Sequence, residues 1–505
     1  MTVGGAAVFA AALVFFSTRP PGPGLDPDGM AYIGAATSLV KGGELRVPTG
    51  EWDRPDSTSA LSLWPPGYPA LIAIPVRLGA SPVQSARYIN TVAAGVLAAT
   101  VVVLVGGAVG TTGGVVAVAV VFATQAIFDV HLSVLSEPLF MALIGLALAV
   151  MTVARDRLLL LGLLAAAAVM VRYAGAAVPA AVVTWTLIDS RYDFIRRLRR
   201  GVLVALPSVI VIGAWFARTA LARDRHATPE VSVYGGWGVT WQQARGTVVG
   251  WLAPGLADAD LQRVIATAAL VALATFIIVT VRDTAGSRRR LRHQGRVATL
   301  IGAASVVAGW YVVVLLASRS FVGGTIPFDG RILAPLILLV EVAAVTAIGY
   351  WWQAYHLPMH VTVGAIGAAW LVAASVVTVN DATYAATEGS DFASLEWRNS
   401  PLVAWVRAHG NGHPLYSNWP PALYFHAGRV ARQLPDSSDS TDMAGFAGAL
   451  RRNGGYVVGF KTRSPDVITP AQLAQRLSLR EVARTEDGTV WDGGKDATAT
   501  AKLHQ

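Results

Sequence analysis

The residues best placed to do chemistry are a few carboxylates and arginines set between long apolar runs. Leu25-Asp26-Pro27-Asp28-Gly29-Met30 brings two acids to the start of a helix-like stretch through Tyr32, Ala35, Ala36 and Leu39. A carboxylate there beside an apolar surface could act as a general base. Asp before a helix is also commonly an N-cap, and periodicity alone favours that role for Asp28. Phe128-Asp129-Val130-His131 and Leu135-Ser136-Glu137-Pro138 form a second group, a tight turn with Asp129, His131 and Glu137. Such a trio could bind a divalent ion or sugar hydroxyls. Equally, Ser136 and Glu137 with Pro138 could simply start a helix. The third group is cationic: Arg172, Arg218 and Arg331 each lie at the end of an apolar run. Arg suits bidentate recognition of phosphate, although one Arg at a helix end more commonly snorkels to the interface.

Glu341 stands alone near the middle of an apolar run, a costly place for a charge and a functional suspect by default. The alternative is a Glu that bonds to a neighbouring helix. His409 and His413 lie in a Gly-rich loop and read as surface residues. No phosphate-cradling Gly motif, Cys/His metal motif or internal repeat is present.

The elements that must position these groups follow from composition. Of 505 residues, 54% are hydrophobic and 14% charged, with no cysteine. Soluble domains carry about 25% charge. Too little polar surface remains for a cytosolic enzyme, and disulfides and thiolate chemistry are excluded. A polytopic α-helical membrane protein remains. The net charge of +9 does not point to nucleic acid, because Arg clusters in short loops between apolar runs.

About eleven spans are expected: 3–18, 88–108, 112–129, 134–153, 158–172, 174–189, 201–219, 263–281, 297–317, 331–352 and 361–379. The Arg191–Arg200 and Arg282–Arg296 clusters and Arg155-Asp156-Arg157 read as cytoplasmic. Counting from them places the N-terminus inside. A large first loop, 19–87, and a C-terminal α/β domain, 380–505, then lie outside, the transmembrane part being 1–379. Ser394–His409, Pro420–His426 and Pro470–Leu479 read as helices. Pro414–Asn418, Gly455–Lys461 and Thr489–Asp492 read as strands.

Several of these pieces, in this order, resemble the bacterial GT-C integral-membrane glycosyltransferases that use polyprenyl-phosphate mannose or arabinose donors. They are Asp28 followed by Tyr32 and Lys41-Gly42-Gly43, Trp64-Pro65-Pro66-Gly67-Tyr68-Pro69, Ser136-Glu137-Pro138-Leu139, Gly330-Arg331-Ile332-Leu333-Ala334-Pro335, and Pro414-Leu415-Tyr416-Ser417-Asn418 with Pro420 and Tyr424. The resemblance covers most of the membrane part. It implies Asp28 as catalytic base, with Asp26 in reserve. It implies a second acidic site where Asp129 and His131 stand; Glu137 and Asp26 are further candidates for that site or for the acceptor. It also implies Arg331 at the donor phosphate, where Arg172 and Arg218, two further cations at the same face, could join it. His131 departs from a family pattern of two adjacent acids, which leaves a divalent cation open; no other cofactor is implied. The expected partners are a polyprenyl-phosphate sugar, a glycan, lipid or protein acceptor, and the bilayer of the plasma membrane. A transporter or flippase is the main rival, and a wall-glycan sensor or assembly factor a third reading. Transporters commonly show repeated halves, and this chain shows none.

Overall fold

A computed structural model describes residues 2–49, 52, 57–221, 233–286, 292–323, 326–354, 359–436, 440–464 and 467–494. Part of the second basic cluster, 287–291, lies outside them. The helices run α1 (Val3–Ser17), α2 (Pro27–Gly42), α3 (Gly67–Arg77), α4 (Pro82–Val109), α5 (Thr111–Ala123), α6 (Gln125–His131), α7 (Glu137–Val153), α8 (Leu158–Val171), α9 (Ala177–Leu187), α10 (Phe194–Leu221), α11 (Trp237–Leu252), α12 (Ala259–Gly286), α13 (Arg292–Phe321), α14 (Gly330–Ala354) and α15 (Met359–Thr387).

Local chemistry sets their ends. Ser81 caps α4 by accepting from Gln84 N, with Pro82 just inside the helix. The α2 helix stops at Gly43, whose φ of +72° is a left-handed C-cap.

Every expected span falls on helix, but not as eleven full-length crossings. Among the described residues six helices are long and apolar enough to cross a membrane. The number is up to seven if α5 and α6, bent by 72°, form one broken span. The helices α1, α7, α8 and the Tyr173–Leu187 segment are apolar but shorter. They suit a protein-lined interior, where a helix need not meet the full hydrocarbon thickness. The α11 helix was not expected.

The core of the bundle is built by α4, α7, α13 and α14 around Phe140, Ile144, Leu300, Ile301, Leu338 and Val342, all buried. Close approach needs small residues, as is usual inside membranes. A Cβ on Gly145 would meet Thr100 Oγ1 at 2.5 Å.

After α15, the chain forms α16 (Leu395–Arg398), α17 (Pro401–His409), α18 (Pro420–Ala427), α19 (Ser440–Asn453) and α20 (Pro470–Arg476) around a sheet. The first loop has already supplied a two-stranded hairpin, β1 (Arg46–Val47) and β2 (Ser59–Ala60). The sheet comprises β3 (Leu415–Ser417), β4 (Arg432–Gln433), β5 (Tyr456–Phe460), β6 (Arg480–Arg484) and β7 (Gly488–Asp492), in order β4-β3-β5-β7-β6. It is mixed: β3 is parallel to β4 and β5, while β7 is antiparallel to β5 and β6. The expected helix Ser394–His409 is divided before Pro401, because the residue before proline avoids the helical region. The two edge strands escaped the sequence reading. One is two residues long, and the other, Arg480-Glu481-Val482-Ala483-Arg484, carries the charge that protects an open edge.

The first loop and this α/β unit lie at the same end of the bundle and are tied together. Trp52 Nε1 donates to Gln433 O at 2.9 Å, and Asn453 Nδ2 to Trp52 O at 3.2 Å. At the other end the basic loops meet. Arg200 Nη2 donates to Asp156 and Arg155 Nη2 to Thr299.

Candidate active site

Three separate stretches are laced together beside the start of α2. Gly24 N donates to Leu132 O and Val134 N to Gly24 O, each at 2.8 Å, and Phe392 N donates to Leu25 O at 3.0 Å. The first loop is thus held between the α6–α7 turn and the entry to the α/β unit. The stretches approach closely at Gly24: a Cβ there would sit 2.6 Å from Ser133 Oγ and 3.0 Å from Ser390 Cβ. Gly67 of the Trp-Pro-Pro-Gly-Tyr turn plays the same part elsewhere. Its Cβ would lie 2.5 Å from Met170 O, so the turn presses against the end of α8 near Arg172.

That lacing delivers Asp26. Its Oδ1 accepts from Gly29 N at 2.6 Å, and Pro27 opens the helix, so Asp26 rather than Asp28 is the N-cap. Asp28 lies in the first turn, one residue further in. Its side chain is therefore free of capping and reaches Arg331 instead.

Arg331 begins α14, where Asp329 Oδ1 accepts from Ile332 N at 3.0 Å. Its guanidinium donates from Nε to Glu137 Oε1 at 2.5 Å, from Nη1 to Asp26 Oδ2 at 2.9 Å, and from Nη2 to Asp28 Oδ2. Glu137 is fully buried and also meets Arg172 Nη1 at 2.5 Å. Arg172 is placed by its extended backbone, φ −148° and ψ 139°, at the break that follows α8. It donates onward to Ser136 Oγ at 3.1 Å, and Ser136 bonds Tyr32 OH at 3.2 Å. Tyr32 stands edge-on to Trp64 and Tyr68, and Tyr68 OH donates to Asn90 Oδ1 at 2.9 Å. Thus the aromatic turn at 64–69 walls the charged cluster.

Three carboxylates therefore share two guanidiniums. Their side-chain exposure grades from 0% at Glu137 through 12% at Arg172 to 26% at Asp28 and Arg331, so the cluster has a closed floor and an open edge. Burial pushes the Asp26 carboxyl up to about 7; the Arg331 charge lowers it, while the neighbouring Asp28 and Glu137 charges raise it further. Charge, hydrogen-bond donors and an accessible carboxylate meet at that edge, which can take a proton from a bound hydroxyl and hold an anion.

The other expected residues stand apart. Arg218 donates to Leu61 O at 3.0 Å and Leu45 O at 3.3 Å and lies over the Trp215 ring, so it pins the first loop. His131 is fully buried, its Nδ1 lying 2.7 Å from Ile127 O and its ring against Phe122. Asp129 shares α6 with it, and its buried Oδ1 has no hydrogen-bond partner. Asp129 and His131 do not join Glu137, and among the described residues, as they stand, no group of three His, Cys, Asp or Glu is arranged to hold a metal ion. Glu341 has partners: its Oε1 accepts from Thr124 Oγ1 at 2.5 Å and from Trp251 Nε1 at 2.9 Å. It ties α14 to the α5–α6 break and to α11. His409 and His413 are exposed, as expected.

Sequence reasoning missed Asp391 and Arg319. Asp391 has φ +50°, bridges to Leu25 and lies within electrostatic reach of Arg331. Nothing in its local pattern marked it. Arg319 is 2% exposed; it donates to Thr240 Oγ1, Gly235 O and Gly236 O, and lies over Trp237, fixing the start of α11.

No family model and no curated protein matches the chain. Solved structures do. The Archaeoglobus fulgidus oligosaccharyltransferase in complex with zinc and sulfate aligns over 90% of this chain and 68% of its own, with TM-score 0.54 and 12% identity. This is the GT-C fold. AglB from the same organism, in complex with an inhibitory peptide and a dolichol-phosphate, aligns over 90% and 69%, with TM-score 0.51 and 11% identity. ArnT from Cupriavidus metallidurans, bound to undecaprenyl phosphate, aligns over 97% and 98%, with TM-score 0.49 and 13% identity. At 11–12% identity the two archaeal structures show a likeness of fold, and function rests on the site.

Proposed function

We propose that this chain is a multi-pass plasma-membrane glycosyltransferase. In this reading it moves a sugar from a polyprenyl-phosphate donor to a cell-envelope glycan, lipid or protein acceptor at the outer face. The observation that carries it is the pairing of Asp28 with Arg331 at the open edge of the cluster. The GT-C fold supports it.

The chemistry needs little else. Asp28 takes the proton of the acceptor hydroxyl as the new C1–O bond forms. The bond from C1 to the phosphate oxygen breaks, and its electron pair leaves with the lipid phosphate. A guanidinium has five N–H donors. Three of those on Arg331 are engaged by carboxylates. Two remain for phosphate oxygens, whose charge grows as the bond breaks. Arg172, bound to Glu137, keeps that buried carboxylate from competing fully for Arg331.

Orientation follows the basic loops. Arg155, Arg200 and their partners gather at the end opposite the cluster, which supports an N-terminus inside and the α/β unit outside. Glu341, the lone acid within an apolar run, is bonded to Thr124 and Trp251 and ties α14 to neighbouring helices.

The test is transfer of a labelled sugar from polyprenyl-phosphate donors by the detergent-purified protein, where vectorial transport cannot score. Product formation supports the reading. Failure with mannose and arabinose donors alike, across glycan, lipid and protein acceptors, would remove it.

A further inference from the structure

We infer that Arg331 stands where a divalent cation would stand in a three-carboxylate site, so that transfer by this protein needs no metal. The inference rests on the reading of the cluster as the active site.

The A. fulgidus oligosaccharyltransferase of the same fold was solved with zinc. The residues here do not fit such a group. Asp26 caps α2, Asp28 lies in its first turn, and Glu137 starts α7. A dication would draw an oxygen from each to within about 2.0–2.6 Å of one point. Instead, one oxygen of each already accepts from a different nitrogen of one guanidinium. A second close cation, Arg172, takes the same oxygen of Glu137 that Arg331 takes.

For a metal to enter, Arg331 would have to leave three ion pairs or stand beside a like charge. Elsewhere among the described residues the ligands are wanting. His131 turns its ring into the core, and Asp129 lies on a different helix from the three acids. A planar guanidinium differs from an ion in one useful respect. It is fixed to α14, so the three acids are held together whether or not a metal is available.

The experiment uses the full-length protein, stripped with EDTA and titrated with Mn²⁺ while the spectrum of the free ion is followed. Wild type should take up no Mn²⁺ below about 1 mM. Arg331→Met should gain a site at least about tenfold tighter, and Arg331→Met combined with Asp28→Asn should lose it. Transfer by wild type should stay within about twofold after EDTA, the bound for an ion that takes no part.

Micromolar Mn²⁺ binding by wild type that Asp28→Asn abolishes would overturn the inference. So would an EDTA loss of transfer that Mn²⁺ restores, or a folded Arg331→Met protein without a site. If Arg331→Met fails to fold, the wild-type measurements decide alone. If no donor is turned over, the functional reading falls and the Mn²⁺ measurements still decide this one.

Discussion

Arg331 Nε donates to Glu137 Oε1 across 2.5 Å, joining the first turn of α14 to the first turn of α7 inside the protein. Arg172 reaches the same oxygen from the end of α8. One fully buried carboxylate thereby fixes both cations, and Asp26 and Asp28 are then gathered on the remaining nitrogens of Arg331.

Glu137→Gln should therefore harm stability more than its size suggests. It leaves Arg172 and Arg331 without their shared anion, and breaking a buried pair costs about 3–5 kcal/mol. Thermal unfolding in detergent should show a clear fall in midpoint. A midpoint equal to wild type would mean that Glu137 holds nothing in place.

Arg331→Lys should not rescue function. A lysine offers one compact charge where three carboxylates at different angles need a fork. Transfer should fall by about 10²-fold or more, as when one oriented donor to a developing oxyanion is lost. Near-normal kcat in Arg331→Lys would show that charge alone suffices.

Asp26 gives a pH signature. Burial holds its folded pKa at about 7, above the ordinary carboxyl value of 3.8, so the native state binds this proton more tightly than the unfolded chain. Asp26 therefore costs stability progressively as pH rises from about 4 to about 7, and the cost is fully present above that window. Asn caps helices well, so Asp26→Asn keeps the Gly29 bond and removes the titration. Unfolding midpoints measured from pH 4 to 8 should show the variant gaining on wild type as pH rises. Parallel curves would place Asp26 in water.

Gly24→Ala should act at a distance. The added Cβ meets Ser133 Oγ and Ser390 Cβ and pushes on the first-loop segment that delivers Asp26 and Asp28. A shift of about 1 Å can cost about 10²-fold in rate. Adding Ser133→Gly should recover much of the loss. If Gly24→Ala alone transfers at wild-type rate, the lacing is not what sets the geometry.

Arg218→Ala separates a loop pin from a phosphate contact. Donor KM should hold, while amide exchange near Leu45 and Leu61 should quicken as their carbonyls lose a donor. A KM increase with unchanged exchange would instead put Arg218 at the donor.

Much of this arrangement is legible in the chain. Long apolar runs can hardly be anything but helices, and Arg331 and Glu137 mark themselves as charges at the mouths of such runs. The cap belongs to Asp26, ahead of the first-position proline Pro27, and not to Asp28 as the apolar periodicity suggests. Asp28 drew the eye as the acid nearest the apolar periodicity. Other assignments depend on tertiary packing. Whether Arg218 faces phosphate or two backbone carbonyls, and whether His131 faces a ligand or Phe122, turns on helix rotation that no local pattern encodes. Asp391 reaches the site because Phe392 N bonds Leu25 O, a partner far away in the sequence.

The most direct measurement compares wild type with Asp28→Asn in transfer of labelled sugar from a polyprenyl-phosphate donor, at saturating donor and acceptor. The account predicts turnover by wild type. It predicts a loss of about 10²–10⁴-fold in kcat for Asp28→Asn, with the protein folded and donor binding retained. An Asp28→Asn protein that transfers at close to the wild-type rate would contradict it.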